Sequence, residues 1–591
     1  MGYTPHVLIV GGGVLGTAIA RDFAIRGLEV TLVEQGTLTA GTTGRMHGVL
    51  YSGARFAATD PAGAVRCRSE TKALREIADH CLRSTSAVIA DQSEGRIADC
   101  MAACENCGIP FQELSASQRE EAGLTGEVEA AIRVPEAAVD PFELTLSTAA
   151  GAREYGAEIK TGAAVEEIRF DGGRVAGATV EYDPSPGAPP APTEPATPDD
   201  GDGQPADATD GEADEESDHS EDTGSDRPEM PGSVQRSFPG ASDDDEPDRG
   251  EREEIAADFV VNATGAWADR IAALAGIDLP LSRSRGRMLV LDEEPDHTVT
   301  RYDSEQPLSL SPFWGNGVVG PIRSGSAEDA IEAVSAISDG IDDPTVLRSY
   351  SGVWTQHASD SDDPYGPGAT MIDHEKYDDQ WGMLTVVGGT LTTHRLVAKQ
   401  VVDRVCREFG IDRACLTDEL QLPEVTAEST TESSQSLLAR AGSVPKSVTD
   451  QPDPVLCESQ SVGRETIETA LESDDVRGTD LTDVRIRTGA TMGACQGGRC
   501  GHRIATQLYP EHDPDTVEES LRELLAARWQ GRRNTLWGPQ LAAAIADYEY
   551  HAAVLNRNSS DTDGIELSAY DDGSDPGDRD RPLCCEAVVY G

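Results

Sequence analysis

A glycine-rich turn close to the amino terminus is the feature that most constrains this fold. Gly11, Gly13 and Gly16 form a G-x-G-x-x-G pattern between a short apolar run at 6–10 and a predicted helix over 14–25. Glycines at these positions permit a tight turn, a close approach of the backbone to a diphosphate, and close packing of helix on strand. The start of the helix offers unpaired N–H groups and a positive dipole to the phosphates. The pattern therefore predicts a dinucleotide-binding α/β fold.

The segment that follows this helix supports the same interpretation. Residues 28–34 form a predicted second strand that ends in Glu34. A carboxylate at the end of this strand is placed to accept hydrogen bonds from the ribose hydroxyls of an adenosine. The alternative is a glycine-rich turn in an ordinary α/β sheet. The strand, the helix and the acid in register favour the dinucleotide site.

Two later segments indicate whether the predicted dinucleotide is NAD or FAD. Residues 259–265 read F-V-V-N-A-T-G, an apolar strand whose final Gly265 lets the chain pass close to a dinucleotide. Residues 386–395 read V-V-G-G-T-L-T-T-H-R and lead into a predicted helix. A helix start of this kind points N–H groups at a flavin and stabilises negative charge that develops there. The three segments in this order predict FAD, with Gly388, Gly389 and Thr392 among the residues that contact it.

The balance of charges limits the possible partners and the environment. The chain has 591 residues, with 48 basic and 106 acidic side chains and a net charge of −58. Such a chain lacks the basic footprint that nucleic-acid binding requires. Self-repulsion of this size is screened at roughly 1 M salt, where the Debye length is about 3 Å. We therefore expect a salt-rich cytoplasm, although acidity confined to disordered segments explains part of the excess.

Targeting signals and cysteine usage agree with a cytoplasmic location. The first ten residues run into a predicted strand, which leaves no room for a signal peptide. The sequence contains no apolar run of 18 residues, so we expect no membrane span. Twelve cysteines without a secretory signal indicate reduced thiols or metal ligands.

Patterns along the chain predict an α/β fold with several modules. A Rossmann-like FAD-binding domain and a mixed-sheet substrate domain precede a small α-rich module that contains cysteines. Helices are predicted at 66–83, 91–107 and 142–155, and a hairpin is predicted around 165–180. The predicted division comprises an FAD-dependent oxidoreductase at 1–420, a disordered acidic insert at 183–252, a linker at 421–452, a cysteine module at 453–510, helices at 511–556 and an acidic tail at 557–591.

Three cysteines in the second of these helices have a spacing that some iron–sulfur sites use. Cys100, Cys104 and Cys107 lie at positions i, i+4 and i+7, on one face of the predicted helix. A buried stripe of small apolar side chains is the simpler explanation. We therefore predict that these three residues belong to the core.

The sequence resembles the A subunits of anaerobic glycerol-3-phosphate dehydrogenases, within the superfamily of flavoproteins similar to D-amino-acid oxidase. The stretches that carry the resemblance are 11–22, 42–56, 134–144, 350–353 and 528–541. The similarity itself covers nearly the whole chain except the acidic insert and tail. The resemblance implies hydride transfer from C2 of glycerol 3-phosphate to flavin N5, which yields dihydroxyacetone phosphate. It also implies that electrons leave through partner subunits to a membrane quinone, so the chain would lie on the inner membrane face through those partners.

The resemblance also implies roles for individual residues. Thr42 and Thr43 lie in the family's loop beside the cofactor, and His47 lies in the same loop. Arg55 matches a family arginine beside the substrate. Thr390 stands where the family has a lysine near the substrate oxygen.

Two further positions depart from the family pattern. Trp354 replaces the arginine that grips the substrate phosphate, and His394 replaces a tyrosine. Tryptophan cannot bind phosphate in a bidentate way as arginine does. One interpretation is that Arg323 has taken over the phosphate. The alternatives are a divergent enzyme for another small hydroxy or amino compound, and an electron-transfer subunit without turnover.

Cysteines near the carboxyl end resemble those of the [2Fe–2S] domain of bacterioferritin-associated ferredoxins. Cys495 and Cys500 form a C-x4-C pattern among glycines, and Cys457 lies upstream. The family pattern has four thiolates, but Ser459 replaces one of them here. Three cysteines with this serine, or with a tail cysteine at 584–585, can hold a cluster. A domain that kept its fold and lost the cluster is the alternative.

Overall fold

A computed structural model describes most of the chain outside the acidic insert, the linker and the tail. The described residues are 4–84, 86–182, 251–302, 307–339, 341, 344–358, 368–425, 454–471, 480–510, 512, 514–533 and 538–554. The predicted insert at 183–252 lies outside them except for its last two residues. The predicted tail also lies outside them, as do residues 426–452 of the predicted linker. The domain boundaries themselves stay predictions.

The described strands and helices follow the predicted order closely. The strands are β1 (His6–Val10), β2 (Glu29–Val33), β3 (Val49–Leu50), β4 (Leu82–Ser84), β5 (Ala87–Asp91), β6 (Gln112–Glu113), β7 (Ala130–Val134), β8 (Ala137–Val139), β9 (Glu158–Lys160), β10 (Ala163–Asp171), β11 (Arg174–Tyr182), β12 (Arg252–Ala256), β13 (Phe259–Asn262), β14 (Leu281–Leu291), β15 (Thr298–Arg301), β16 (Leu308–Phe313), β17 (Asn316–Ile322), β18 (Val346–His357), β19 (Ala369–Asp373), β20 (Met383–Gly388), β21 (Val455–Cys457) and β22 (Val462–Gly463). The helices are α1 (Val14–Ile25), α2 (Pro61–Ile77), α3 (Glu94–Cys107), α4 (Ala116–Glu121), α5 (Pro141–Glu154), α6 (Ala268–Leu274), α7 (Ala327–Ser335), α8 (His374–Asp378), α9 (His394–Glu408), α10 (Arg464–Leu471), α11 (Leu481–Thr488), α12 (Gly501–Ala505), α13 (Pro514–Arg533) and α14 (Gly538–Val554).

A six-stranded sheet in the order β19-β20-β13-β1-β2-β9 organises the first part of the fold. All its neighbouring pairs are parallel except β19–β20. Strand β1 is apolar on both faces because each face is covered. Val7 and Ile9 pack with α1, α5 and α9, whereas Leu8 and Val10 pack with α6 and the β10–β12 sheet. This confirms the predicted Rossmann-like sheet.

A second, mixed sheet confirms the predicted mixed-sheet part of the fold. Its order is β18-β14-β17-β16-β15-β5-β7-β6, and β5–β15 is its parallel pair. The long strands β14 and β18 pair along their whole length, from Leu281 opposite His357 to Leu291 opposite Val346. Strand β18 also contacts the short turn at Thr42–Arg45, because the Thr42 hydroxyl donates to the Val353 carbonyl at 2.7 Å. The second sheet therefore borders the dinucleotide-binding part.

Two predictions about local structure need correction, and one is refined. The helix predicted at 66–83 begins earlier, at Pro61, because the Asp60 carboxylate caps it by accepting from the Gly63 amide at 2.8 Å. It ends at Ile77, and Leu82–Ser84 form a strand instead. Arg252, assigned to the acidic insert, starts β12. Since β12 pairs antiparallel with β11, the insert joins two adjacent strands.

The described carboxyl-terminal residues form a small core of their own beside the second sheet. Apolar residues of β21, β22 and helices α10 to α13 make one cluster, with Cys457 and Cys500 inside it. The amide of Asn316 donates to the Met492 carbonyl at 2.9 Å, and Gln460 donates to the Trp314 carbonyl at 2.7 Å. These bonds attach the cluster to the β16–β17 turn.

The three cysteines of α3 lie in the core, as predicted. Cys100 and Cys104 are fully buried and Cys107 nearly so, among apolar side chains of α2 and the second sheet. In the part of the chain that the structure describes, no helix combines the length and the apolar character needed to cross a bilayer.

Candidate active site and cysteine cluster

The glycines of the first turn are required by close backbone contacts. Gly11 has φ +116°, and a Cβ there would lie 2.7 Å from the Ala263 carbonyl oxygen. A Cβ on Gly16 would lie 1.9 Å from the Gly11 carbonyl oxygen. Gly13 precedes α1, so the first amides of the helix point out of the sheet edge. The amide of Val14 donates to the Thr43 hydroxyl at 3.1 Å, and Gly13, Val14 and Leu15 line the cavity, so the helix start borders the space that a diphosphate would occupy.

Glu34 lies at the end of β2, as predicted, and faces this turn. Its carboxylate accepts hydrogen bonds from the amides of Gly12 at 2.6 Å and Gly36 at 2.9 Å. Burial raises the pKa of Glu34, and the backbone hydrogen bonds partly oppose that rise. The two bonds fix the side chain at the cavity wall.

A cavity of about 380 Å³ runs from this turn between the two sheets. Its size and elongated lining are those of a small-molecule site. Trp354 and His394 line it together with the predicted residues Gly11, Gly13, Glu34, Thr42, Thr43, Gly265, Gly388, Gly389 and Thr390. Among the described residues, eight of the ten predicted cofactor contacts therefore lie on one cavity. A glycine-walled cleft that begins at a helix start fits FAD.

The two remaining predicted contacts, Gly16 and Thr392, do not line this cavity. Gly16 lies one turn into α1, where its missing side chain permits close packing. The Thr392 hydroxyl accepts a hydrogen bond from the Tyr51 amide at 2.9 Å. The assignment of these two side chains as cofactor contacts stays a prediction, since the described geometry gives both a structural role.

The turn before α9 shapes the far end of the cavity. Gly388 and Gly389 have φ +83° and +81°, which L side chains rarely adopt. The Thr390 amide donates to the Thr393 hydroxyl at 3.1 Å, and the Thr390 hydroxyl lies 3.2 Å from it. Thr390 is buried, so the cavity has a neutral hydroxyl where the family resembled by the sequence has a lysine.

A cationic cluster lies next to the cavity wall formed by Met46. The His47 imidazole Nε2 lies 2.9 Å from the Tyr51 hydroxyl. The Arg55 guanidinium lies over the Tyr51 ring, 4.1 Å from its centroid, and donates to the Ser309 hydroxyl at 2.9 Å. The charge of Arg323, which follows β17, acts on both His47 and Tyr51. The structure thus brings together three of the four predicted catalytic residues.

Burial and positive neighbours keep His47 neutral. Burial lowers its pKa first, and the charges of Arg55 and Arg323 lower it further, to about 3. A neutral imidazole has one unprotonated ring nitrogen that can accept a proton. The cluster therefore combines anion attraction with a proton acceptor.

Two residues of this cluster were missed in the sequence. Tyr51 lies at i+4 from His47, within the stretch 42–56. Glu136 is fully buried, accepts from the Ser52 amide and hydroxyl at 3.3 and 3.1 Å, and acts electrostatically on Arg55. Glu136 is the one acid in the otherwise apolar stretch 134–139, and that was the available signal, since a buried carboxylate needs a nearby cation.

The three predicted cysteine ligands converge with Ser459. The Cys457 sulfur lies 3.6 Å from the Ser459 hydroxyl, which lies 3.9 Å from the Cys495 sulfur. The Cys500 thiol bonds to both other sulfurs and lowers the pKa of Cys457 and of Cys495. Three sulfurs and one hydroxyl oxygen are thus neighbours, and donors of these types fit a metal cluster.

Comparisons with known proteins agree with this geometry. The sequence model of the family described as "FAD dependent oxidoreductase" matches residues 6–188. The chain is 35% identical to the A1 subunit of the anaerobic glycerol-3-phosphate dehydrogenase of Haloferax volcanii, over 96% of this chain and 94% of that protein. It is 30% identical to the corresponding A subunit from Escherichia coli, over 90% and 94%. Its fold matches the crystal structure of the glycerol-3-phosphate dehydrogenase from Bacillus halodurans complexed with FAD, with a TM-score of 0.50, 15% identity and coverage of 94% and 95%.

The fold, the glycine cradle and the cavity define an FAD-dependent oxidoreductase. Within that class, the chain belongs to the family of A subunits of anaerobic glycerol-3-phosphate dehydrogenases.

Proposed function

We propose that this chain is the FAD-bearing subunit that oxidises sn-glycerol 3-phosphate to dihydroxyacetone phosphate. The observation that carries the proposal is the cluster of Arg55, Arg323 and neutral His47 beside the cavity. A phosphorylated alcohol needs both cations for its phosphate and an acceptor for its hydroxyl proton. When bound, FAD supplies the two-electron acceptor.

The residues at the start of α1 and around Glu34 would hold the adenosine diphosphate half of FAD. The amides after Gly13 face the cavity, and Glu34 lies at the end of β2 where a ribose is expected. The turn that carries Gly388, Gly389 and Thr390 would border the flavin half. Trp354 stands on the same wall as an apolar surface.

Arg323 and Arg55 would attract and orient the substrate phosphate. Arg55 is fixed in place by the Tyr51 ring below it and by the Ser309 hydroxyl at its end. Arg323 would supply a positive charge in place of the family arginine, whose position in the sequence is occupied by Trp354. Because Thr390 is neutral, the cations of this cluster carry most of the phosphate binding.

His47 would accept the proton of the C2 hydroxyl. Without substrate its low pKa keeps the imidazole neutral and weakly basic, and the negative charge of a bound phosphate would raise that pKa towards the range of an effective base. The Tyr51 hydroxyl holds the ring in position. Removal of that proton makes the alcohol carbon a better electron donor.

Cys457, Cys495, Cys500 and Ser459 would hold a [2Fe–2S] cluster in this proposal. An alkoxide ligand binds iron more weakly than a thiolate would in the same place, so we expect a labile cluster with an altered potential. The cluster would pass electrons to partner subunits and then to quinone. The chain would then lie on the inner face of the membrane through those subunits.

A second candidate function rests on the replacement of two family cations by Trp354 and Thr390. Both side chains line the cavity and neither can carry a positive charge. An enzyme that acts on another small hydroxy or amino compound would suit such a wall.

Flavin reduction tests both candidates. Glycerol 3-phosphate is added without oxygen to the purified full chain in molar salt, and the visible flavin absorbance is followed. Bleaching by glycerol 3-phosphate supports the first proposal. Bleaching only by other hydroxy or amino compounds supports the second, and no bleaching by any of them indicates an electron-transfer subunit without turnover.

A further inference from the structure

Three arginines meet at a second, smaller cavity between the second sheet and the carboxyl-terminal cluster. The cavity has a volume of about 50 Å³ and is lined by Arg45, Arg348 and Arg485. Arg45 ends the turn Thr42–Arg45, Arg348 lies on β18, and Arg485 lies on α11. The site exists only where the two parts of the described chain are packed together.

No carboxylate lines this cavity among the described residues. Burial lowers the pKa of all three arginines, and the charge of Arg348 lowers those of Arg45 and Arg485 further. Guanidinium groups keep their charge in proteins, so three of them repel one another here. In a chain with 106 acidic and 48 basic residues, such a cation trio is not a consequence of composition.

The guanidinium groups of Arg348 and Arg485 keep hydrogen-bond capacity for a ligand. Arg348 is 8% exposed, and its Nε makes no hydrogen bond within the described part of the protein. The Nε of Arg485 likewise has no hydrogen-bond acceptor among the described residues. Arg45 is anchored at one end, because its Nη1 donates to the carbonyls of Ala40 and Gly41.

The neighbouring polar groups hold the cavity walls in place. The Tyr350 hydroxyl donates to the Met46 carbonyl at 3.1 Å, and the Asn316 amide donates to the Met492 carbonyl at 2.9 Å. The Gln496 amide donates to the carbonyls of Met492 and Gly493 at 2.9 and 3.0 Å. These bonds fix the walls without neutralising any arginine.

We propose that Arg45, Arg348 and Arg485 bind one small inorganic anion at this junction. A water molecule needs roughly 10–15 Å³ of such space, so the cavity accepts a group the size of phosphate, or chloride with water. Planar guanidinium groups suit oxyanions, which they bind through paired hydrogen bonds. The anion would cancel the repulsion and hold α11 against β18.

This site is distinct from the substrate cluster, because His47, Arg55 and Arg323 do not line the smaller cavity. The smaller and the larger cavity share one lining residue, Met46. An anion here would act on the attachment of the carboxyl-terminal cluster rather than on the substrate.

Thermal unfolding at constant ionic strength tests the proposal. The full chain is prepared in potassium gluconate, whose anion is too large for the cavity, and phosphate or chloride replaces gluconate stepwise. We expect Tm to rise to a plateau with at least one of the two anions. A plateau with phosphate alone identifies an oxyanion site, and one with chloride alone identifies a halide site. A response that never saturates, or none at all, overturns the proposal.

Single-residue variants test whether the rise in Tm comes from an anion bound at the three arginines. R348Q should raise Tm in gluconate, because it removes one repelling charge, and should raise the half-saturating anion concentration at least tenfold. R252Q removes an arginine that pairs with Glu181 on the exposed β11–β12 edge, and should leave the half-saturating concentration unchanged. Equal anion responses of R348Q and the natural protein overturn the proposal. Should R348Q not fold, crystals of the natural protein soaked in bromide or selenate supply the test, and no anomalous peak between the arginines overturns it.

Discussion

The Tyr51 amide donates a hydrogen bond of 2.9 Å to the Thr392 hydroxyl, across 341 residues of sequence. Both residues are buried. The bond joins the segment that carries His47 and Arg55 to the turn that shapes the far end of the large cavity. The proposed substrate cluster and the proposed flavin site are therefore linked directly through the Thr392 side chain.

Removal of that hydroxyl tests the positioning role. T392V leaves the Tyr51 amide without an acceptor, which costs about 1–3 kcal/mol for a buried group. We expect a lower Tm and a lower kcat with glycerol 3-phosphate, whereas T392S should behave like the natural protein. Natural stability and activity in T392V would show that the bond is dispensable.

A methyl group at Gly16 should abolish cofactor binding. The Cβ of G16A would lie 1.9 Å from the Gly11 carbonyl oxygen, so the turn must move away from the diphosphate. Flavin content per chain, measured by absorbance after purification, should fall by at least tenfold. G126A is the matched control, because a Cβ at Gly126 meets no atom within 4 Å. Equal flavin content in both variants would contradict the prediction.

How far the sequence predicts this site depends on the range of the contacts. The first turn was predictable because the positive φ of Gly11 and the contact between Gly16 and Gly11 are local, and Glu34 follows at a fixed distance. The Arg55–Ser309 bond, which spans 254 residues, could not be predicted, and neither could the arginine trio at 45, 348 and 485. Thr392 shows the same limit, since its position was close to the site but the direction of its side chain depends on tertiary packing.

Loss of the Arg323 charge should weaken substrate binding more than turnover. A charged hydrogen bond contributes about 1.5–3 kcal/mol, so R323Q should raise KM for glycerol 3-phosphate about 10- to 150-fold. We expect kcat to change less than KM, and this difference would distinguish phosphate binding by Arg323 from proton transfer by His47. W354R, which restores the family arginine on the cavity wall, should recover part of the loss in the double variant. An unchanged KM in R323Q would remove Arg323 from the phosphate site.

Ser459 should decide whether iron is retained. Its hydroxyl lies 3.6 Å from the Cys457 sulfur and 3.9 Å from that of Cys495, so S459C places a fourth thiol at the same point. We expect up to two irons and two acid-labile sulfides per anaerobically purified chain, with tighter retention in S459C and loss in S459A. C406A removes a buried thiol on α9 and should leave the iron content unchanged. Iron at natural levels in S459A would exclude this serine as a ligand.

His394 should make the protein less stable as the pH falls. The side chain is 4% exposed, and its Nδ1 donates to the Leu391 carbonyl at 2.6 Å. Burial lowers its pKa to about 4, outweighing the backbone bond. Between about pH 6.5 and pH 4, His394 binds a proton in the unfolded chain but not in the folded chain. The free energy of unfolding therefore falls by about 1.4 kcal/mol for each pH unit in this range as the pH decreases.

The family tyrosine provides the matched variant for this effect. H394Y does not titrate in that range, so its unfolding free energy in urea should fall less steeply as the pH decreases from 6.5 to 4.5. The difference between the two slopes should approach one proton per molecule, because His47, whose pKa is also lowered, is present in both proteins and contributes equally to both slopes. Identical slopes would mean that His394 is protonated in the folded state, and the neutral cavity wall inferred here would be wrong.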